Sequence, residues 1–286
     1  MKIVLSAIAI ASLSITLTSC GGSKEDHEGH EHAADSAAVA TDTANSAINE
    51  LAEFKFHTLL ANIPSPLEQL NQLPKCGVNF KKELLNPTTN EKKYTSATKK
   101  AINYGVYGAD LGYLSAFEQN QDIINYFTTT RKLAESLGAV DQFDKVAANR
   151  FEKNMNSKDS LMKIMDEAYS ATEEYLKSNE RLEAASLMLA GSWTESQYLL
   201  LESVKTTEKS DANKAVFEKV FEQRRHLESL IGLLTEYSKN ADVKMILAEL
   251  ENVKKEYAEI KSAEITKVQM EKLAKAIATL RTKLIA

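Results

Sequence analysis

Residues 243–284 read VKMILAELENVKKEYAEIKSAEITKVQMEKLAKAIATLRTKL. Val243, Ile246, Leu250, Val253, Tyr257 and Ile260 recur at spacings of 3 and 4, and so do Met270, Leu273, Ile277, Leu280 and Leu284. That period places each set on one face of an α-helix. Between the sets, Thr266 and Gln269 fit a capping box, in which the hydroxyl accepts an amide N–H and the Gln side chain reaches back to the cap. The stretch predicts an antiparallel helical hairpin with a coiled-coil-like seam. Such a seam is core in the first instance; it could also dock a partner helix.

The rest of the body reads the same way. Helical spacing predicts helices over 94–117, 122–137, 141–154, 157–177, 181–204 and 213–238. Gly138 is placed to close the second, Asp141 to cap the third and Ser157 to cap the fourth. Residues 54–60 are ambiguous, 62–66 break the pattern, and 67–73 fit a short helix with Pro66 in its first turn. Residues 74–90 are irregular apart from a short helix near 81–85. Ten Gly and four Pro are few for 286 residues, and all four Pro lie between 64 and 87. Folds rich in tight turns are therefore disfavoured. The expected class is all-α: a multi-helix bundle with a C-terminal antiparallel helical hairpin.

A weak internal duplication runs through the body. Ala109-Asp110-Leu111-Gly112-Tyr113-Leu114 aligns with Thr194-Glu195-Ser196-Gln197-Tyr198-Leu199. Further on, Glu135-Ser136-Leu137-Gly138 resembles Glu228-Ser229-Leu230-Ile231-Gly232. The identities are few, but they imply two related helical hairpins packed with pseudo-symmetry.

The N-terminus carries an address. Lys2 precedes an apolar run over 3–17, too short to span a bilayer, which needs roughly 20 residues. It ends in Leu17-Thr18-Ser19-Cys20. This resembles the bacterial lipobox, which implies a signal peptide over 1–19, acylation of Cys20 (palmitate included), and attachment to the membrane through the lipid. The alternative is an ordinary secretory signal with a chance Cys. Cys76 is then the one other cysteine, so the mature chain has no internal disulfide.

Residues 20–49 are rich in Ala, acids, Ser, Thr and His, with no aromatic residue. They cannot bury enough apolar surface to offset chain entropy, and read as a disordered acidic tether. Residues 50–286 form the helical domain. Eight acids and one Lys fall between Ser23 and Glu53, a net of −7 against −5 for the whole chain, so the remainder carries about +1 once Lys2 is set aside. The nearly neutral domain gives no basic field for nucleic acid. Ser23-Lys24-Glu25-Asp26 resembles the short signal that sends Bacteroidetes lipoproteins to the outside of the outer membrane. The expected location is the outer membrane, on its periplasmic face or at the cell surface. His27, His30 and His32, interleaved with Glu28 and Glu31, are suitable ligands for zinc, copper or nickel, though ordering a floppy tract weakens such binding. A solvated linker is the plainer reading.

Two places in the body could carry chemistry. Ala101, Gly105, Gly108 and Gly112 form one helical stripe, and each Gly weakens a helix by roughly 0.8–1 kcal/mol relative to Ala. Close approach of another helix, or of a ligand, would account for it. Asp110 shares a face with Val106, Tyr113 and Phe117, and Glu195 with Tyr198 on a helix that also carries Gly191 and Trp193. A carboxylate on an apolar face needs a partner. Asp110 and Glu195 are expected at matching inward positions on neighbouring helices. There they either pin the bundle or line a pocket with Tyr107, Tyr113, Trp193 and Tyr198.

Catalytic signatures fail. Glu222 and His226 have spacing four, not the three of di-iron bundles, and have no second copy. Ser96-x-x-Lys99 and Ser160-x-x-Lys163 lack their companion motifs. There is no nucleophile elbow and no phosphate loop. His57 and His226 stand alone. Nothing points to a resident cofactor.

Several blocks resemble a set of helical lipoproteins from Bacteroidetes with no assigned activity. They are Asn62-Ile63-Pro64-Ser65-Pro66-Leu67-Glu68, Leu85-Asn86-Pro87, Tyr104-Gly105-Val106-Tyr107-Gly108-Ala109-Asp110-Leu111, Asn154 with Lys158-Asp159-Ser160-Leu161, and Ala190-Gly191-Ser192-Trp193-Thr194-Glu195. The resemblance implies one continuous exported domain and no catalytic residues. The leading expectation is a lipid-anchored, non-enzymatic envelope protein that binds a small molecule or protein partner, or is structural. The alternatives are an enzyme using the Asp110 and Glu195 carboxylates, and metal capture by the tether.

Overall fold

Helices begin and end where side chains satisfy their free backbone groups. The computed structural model describes residues 56–59 and 70–286, all within the unit Ser46–Ala286. Cys20, the tether with His27, His30 and His32, the break over 62–66 and most of the helix expected over 67–73 lie outside the described residues. Among those described there is no strand. Eight helices of 12 to 23 residues follow one another: α1 (Ala97–Ala116), α2 (Asn120–Ser136), α3 (Val140–Phe151), α4 (Lys158–Ser178), α5 (Leu182–Val204), α6 (Lys214–Thr235), α7 (Ala241–Ala258) and α8 (Lys267–Leu284). Short 3-10 turns occupy Leu73–Cys76, Lys82–Leu84, Thr88–Lys93 and Glu152–Asn154. The all-α bundle expected from the spacing is what is found.

The Ser96 hydroxyl accepts the Lys99 N–H at 3.1 Å, and Ser157 accepts that of Ser160 at 3.4 Å. The Thr266–Gln269 capping box closes in both directions. Gly138 takes the left-handed conformation (φ 71°) just past α2. Several boundaries differ from expectation by one to three residues, two of them at a cap. Helix α1 starts at Ala97 instead of 94, because Ser96 caps it and 88–93 turn as a 3-10 helix. Ala139 occupies the cap position of α3, so Asp141 sits inside its first turn, where the helix dipole favours an acid.

Helices α2, α3, α4, α6, α7 and α8 each bury one face. Helices α1 and α5 are different: every residue over 101–116 and 185–197 is buried. A helix enclosed on all sides lies at the centre of its bundle. In the first half, α1 packs on α2 and α4, α2 on α3, and α3 on α4. In the second, α5 packs on α6 and α8, α6 on α7, and α7 on α8. Between halves the dominant contact is α1 with α5, flanked by α4 on α5 and α8 on α1. Exchanging the halves leaves this pattern unchanged. The duplication thus spans four helices per half, and the C-terminal hairpin α7–α8 is the counterpart of α3–α4.

Glycine sets the central contact. A Cβ built on Gly105 would collide with the Met188 carbonyl oxygen and lie 2.7 Å from the Ser192 nitrogen. One built on Gly191 would collide with the Ile102 carbonyl oxygen and lie 2.8 Å from its carbon. Ile102 meets Gly191, Gly105 meets the 188–192 turn, and Asp110 meets Glu195, so the contacts advance together along both chains. Helices α1 and α5 therefore run parallel, as two central members of up-and-down bundles joined side by side must. The close-helix reading of the glycine stripe holds for Gly105. Gly108 instead faces the Tyr169 ring, 3.3 Å from a built Cβ.

Candidate functional site

Asp110 on α1 and Glu195 on α5 have no exposed surface. What joins them is Arg281, near the end of α8 and 9% exposed. Its guanidinium donates from Nε to Glu195 Oε2 at 2.7 Å and from Nη2 to Glu195 Oε1 at 2.8 Å. This paired geometry is the strongest arrangement open to an arginine and a carboxylate. Nη2 also donates to the Leu84 carbonyl at 2.9 Å, and the guanidinium lies 4.1 Å from the Tyr198 ring centroid, a cation–π contact.

Asp110 lies against the same group. Its Oδ2 accepts the Asn86 backbone N–H at 3.3 Å. Burial, then the negative charge of Glu195, push its carboxyl pKa well above the usual carboxylate range; Arg281 and the Asn86 N–H offset this in part. A protonated Asp110 can direct its hydrogen toward Glu195, the carboxyl beside it. Burial opposes the Arg281 charge, but Glu195 and Asp110 outweigh it and its pKa rises.

The cluster fastens a strap of short 3-10 turns to the long helices. Along residues 81–94, the Lys81 N–H donates to the Tyr113 hydroxyl at 3.1 Å, and Leu84 and Asn86 bind Arg281 and Asp110. The Tyr107 hydroxyl donates to the Pro87 carbonyl at 2.9 Å, and Asn86 Nδ2 donates to the Tyr94 hydroxyl at 2.9 Å. Beside the carboxyls the Tyr107 ring meets Tyr126 edge to face, with centroids 6.0 Å apart, and Tyr94 at a tilt, with centroids 6.4 Å apart. Burial raises the pKa of all three hydroxyls.

Of the residues proposed from sequence, Asp110, Glu195 and Tyr198 therefore meet around Arg281, with Tyr107 at the edge. Two point elsewhere. Tyr113 packs with Phe80 and Phe117 at the far end of α1, so Asp110 does not share a group with its i+3 tyrosine as Glu195 does. Trp193 faces α6, where its Nε1 donates to Gln223 Oε1 at 3.0 Å; His226 Nδ1 lies 3.1 Å from the same oxygen. Sequence reasoning passed over Arg281, Asn86, Tyr94 and Tyr126. Arg281 had a readable signal. It sits four residues after Ile277 and three before Leu284, on the apolar face of its helix, where an arginine needs an acid.

Among the described residues no three His, Cys, Asp or Glu side chains group so as to hold a metal, and no helix is long and apolar enough to cross a membrane. No family model, curated protein or solved structure matches the chain.

Proposed function

We propose that this is a lipid-anchored, non-enzymatic protein of the outer membrane, whose helical domain binds a ligand or partner and whose acid–arginine cluster holds that domain together. The observation that carries the reading is the sealed state of the carboxyls. A general acid or base must reach the proton it transfers. Asp110 and Glu195 have no exposed surface; Glu195 is bonded to Arg281, and Asp110 Oδ2 accepts from the Asn86 N–H. Leu17-Thr18-Ser19-Cys20 supports the anchor, and the acidic tether over 20–49 supplies reach from the membrane.

The test is fractionation with mass spectrometry of the mature N-terminus. Wild type should sediment with membranes and begin at an acylated Cys20. Cys20→Ala should lose the acyl mass and leave the membrane fraction. An unmodified mature N-terminus at another residue would refute the anchor.

A further inference from the structure

The two halves differ most in one connection. Helices α1 and α2 are joined by three residues (117–119), but their counterparts α5 and α6 are joined by nine (205–213). The fold closes with the short form, so the long one is not demanded by packing. Insertions into one copy of a repeat gather where repeat proteins bind.

The insertion is held in one shape. Asn213, 3% exposed, accepts the Ser210 N–H at 2.7 Å and donates to the Glu208 carbonyl at 2.8 Å. Lys209 Nζ reaches across to the α7–α8 connection, donating to the Ala263 carbonyl at 3.1 Å and to Glu264. Between the two connections lies a cleft of about 270 Å³, near the lower end of small-molecule sites. Its floor is apolar: Phe217, Ile265 and Met270 are 4, 6 and 1% exposed. Its walls carry Lys205, Lys209 and Lys267, with Thr206, Thr207 and one acid, Glu208. Lys205 is paired with Glu202, and Lys209 with Glu264. Lys267 makes no ion pair among the described residues, and it opens α8, whose N-terminus adds partial positive charge.

We propose that this cleft is a binding site for a small organic anion with a hydrocarbon portion, the chain lying on Phe217, Ile265 and Met270 and the anionic head between Lys205 and Lys267. An apolar floor under a cationic rim matches an amphiphile whose two ends differ in this way. A purely apolar solute would leave Lys267, the lining lysine without an ion pair among the described residues, unanswered, and an inorganic anion would leave the floor wet. The inference gives a ligand class to the binding reading above and rests on it, but not on the anchor.

The test titrates ¹³C-labelled hexanoate against the full chain in phospholipid nanodiscs, with empty nanodiscs subtracted. If the chain is not acylated, the same titration runs in buffer, so failure of the anchor and failure of the site are separable. Saturable binding of hexanoate is expected, weakened at least about tenfold in Lys205→Gln/Lys267→Gln and at least about tenfold for 1-hexanol. Neither lysine is buried, and circular dichroism should confirm that the variant is folded. Absence of saturable binding, binding untouched by the double substitution, or equal binding of 1-hexanol would each overturn the proposal.

Discussion

Gly105 and Gly191 face each other's helices across the parallel α1–α5 pair, each pressed against a backbone carbonyl that leaves no room for a methyl group. Backbone on both sides cannot swing away as a side chain can. Gly105→Ala and Gly191→Ala should therefore cost about 3 kcal/mol or more, beyond the usual overpacking penalty and despite Ala's better helix propensity. Gly108→Ala should change stability by no more than about 1 kcal/mol, since it meets only the Tyr169 ring and regains helix propensity. Urea unfolding of the three variants checks the ranking. Equal small effects would mean that the two central helices are not in backbone contact.

The glycine stripe was legible as a demand for close approach, but not as to which neighbour answered it. Helix positions were legible because apolar spacing and the caps Ser96, Ser157 and Thr266 agree. Asp110 and Glu195 stood out because an acid on an apolar stripe needs a partner. That partner was hidden by distance along the chain: Arg281 is 86 residues beyond Glu195, and its own stripe reads as an ordinary seam. The strap was illegible for a different reason. Leu84 and Asn86 reach Arg281 and Asp110 through backbone groups, which carry no residue-type signal. The four-helix extent of the repeat was obscured because α3–α4 and α7–α8 preserve topology without a shared motif.

Glu118 and Glu180 close α1 and α4 with φ of 57°. Each sits where a left-handed residue lets the next amide return to the helix: Gln119 N–H to the Leu114 carbonyl at 2.9 Å, and Arg181 N–H to that of Leu176 at 2.8 Å. Glycine takes this conformation without the strain that an L side chain incurs. Glu118→Gly and Glu180→Gly should each stabilise by up to about 1 kcal/mol and raise the melting temperature by a few degrees. A fall in melting temperature for both would refute the strain.

Asp110 gives the pH response a sign. Its carboxyl pKa is raised in the folded protein, so at low pH both states hold the proton and the contribution to stability is complete. As pH climbs past about 4, the unfolded chain releases its proton while the folded chain keeps it. Stability from this group then falls until the folded pKa is passed. Asp110→Asn keeps the shape, the Asn86 contact and a donor toward Glu195, but does not titrate. The stability of wild type relative to this variant should fall by up to about 1.4 kcal/mol per pH unit above pH 4. Denaturant melts from pH 4 to 8 measure it; a rising difference would place an ionised Asp110 in the folded state.

Arg281 and Glu195 form a buried pair whose members should be worth more together than apart. Both are buried, so removing either leaves the other's charge without its counter-ion, and breaking a buried pair costs about 3–5 kcal/mol. Arg281→Met should fall in that range and also release the Leu84 carbonyl, so amide exchange should quicken at Asn86 and along the strap before the bundle opens. Glu195→Gln should fall in the same range, slightly tempered by the exposed edge of the guanidinium. Glu195→Leu/Arg281→Met removes both charges and should recover most of the loss, because well-packed apolar replacements of buried ion pairs are often neutral or better. A double-mutant cycle should then show a coupling of several kcal/mol, outside the few tenths expected of independent sites. A coupling near zero would mean that the two side chains do not meet. Full stability in both single variants would mean that the cluster is kept for chemistry or binding and not for the fold.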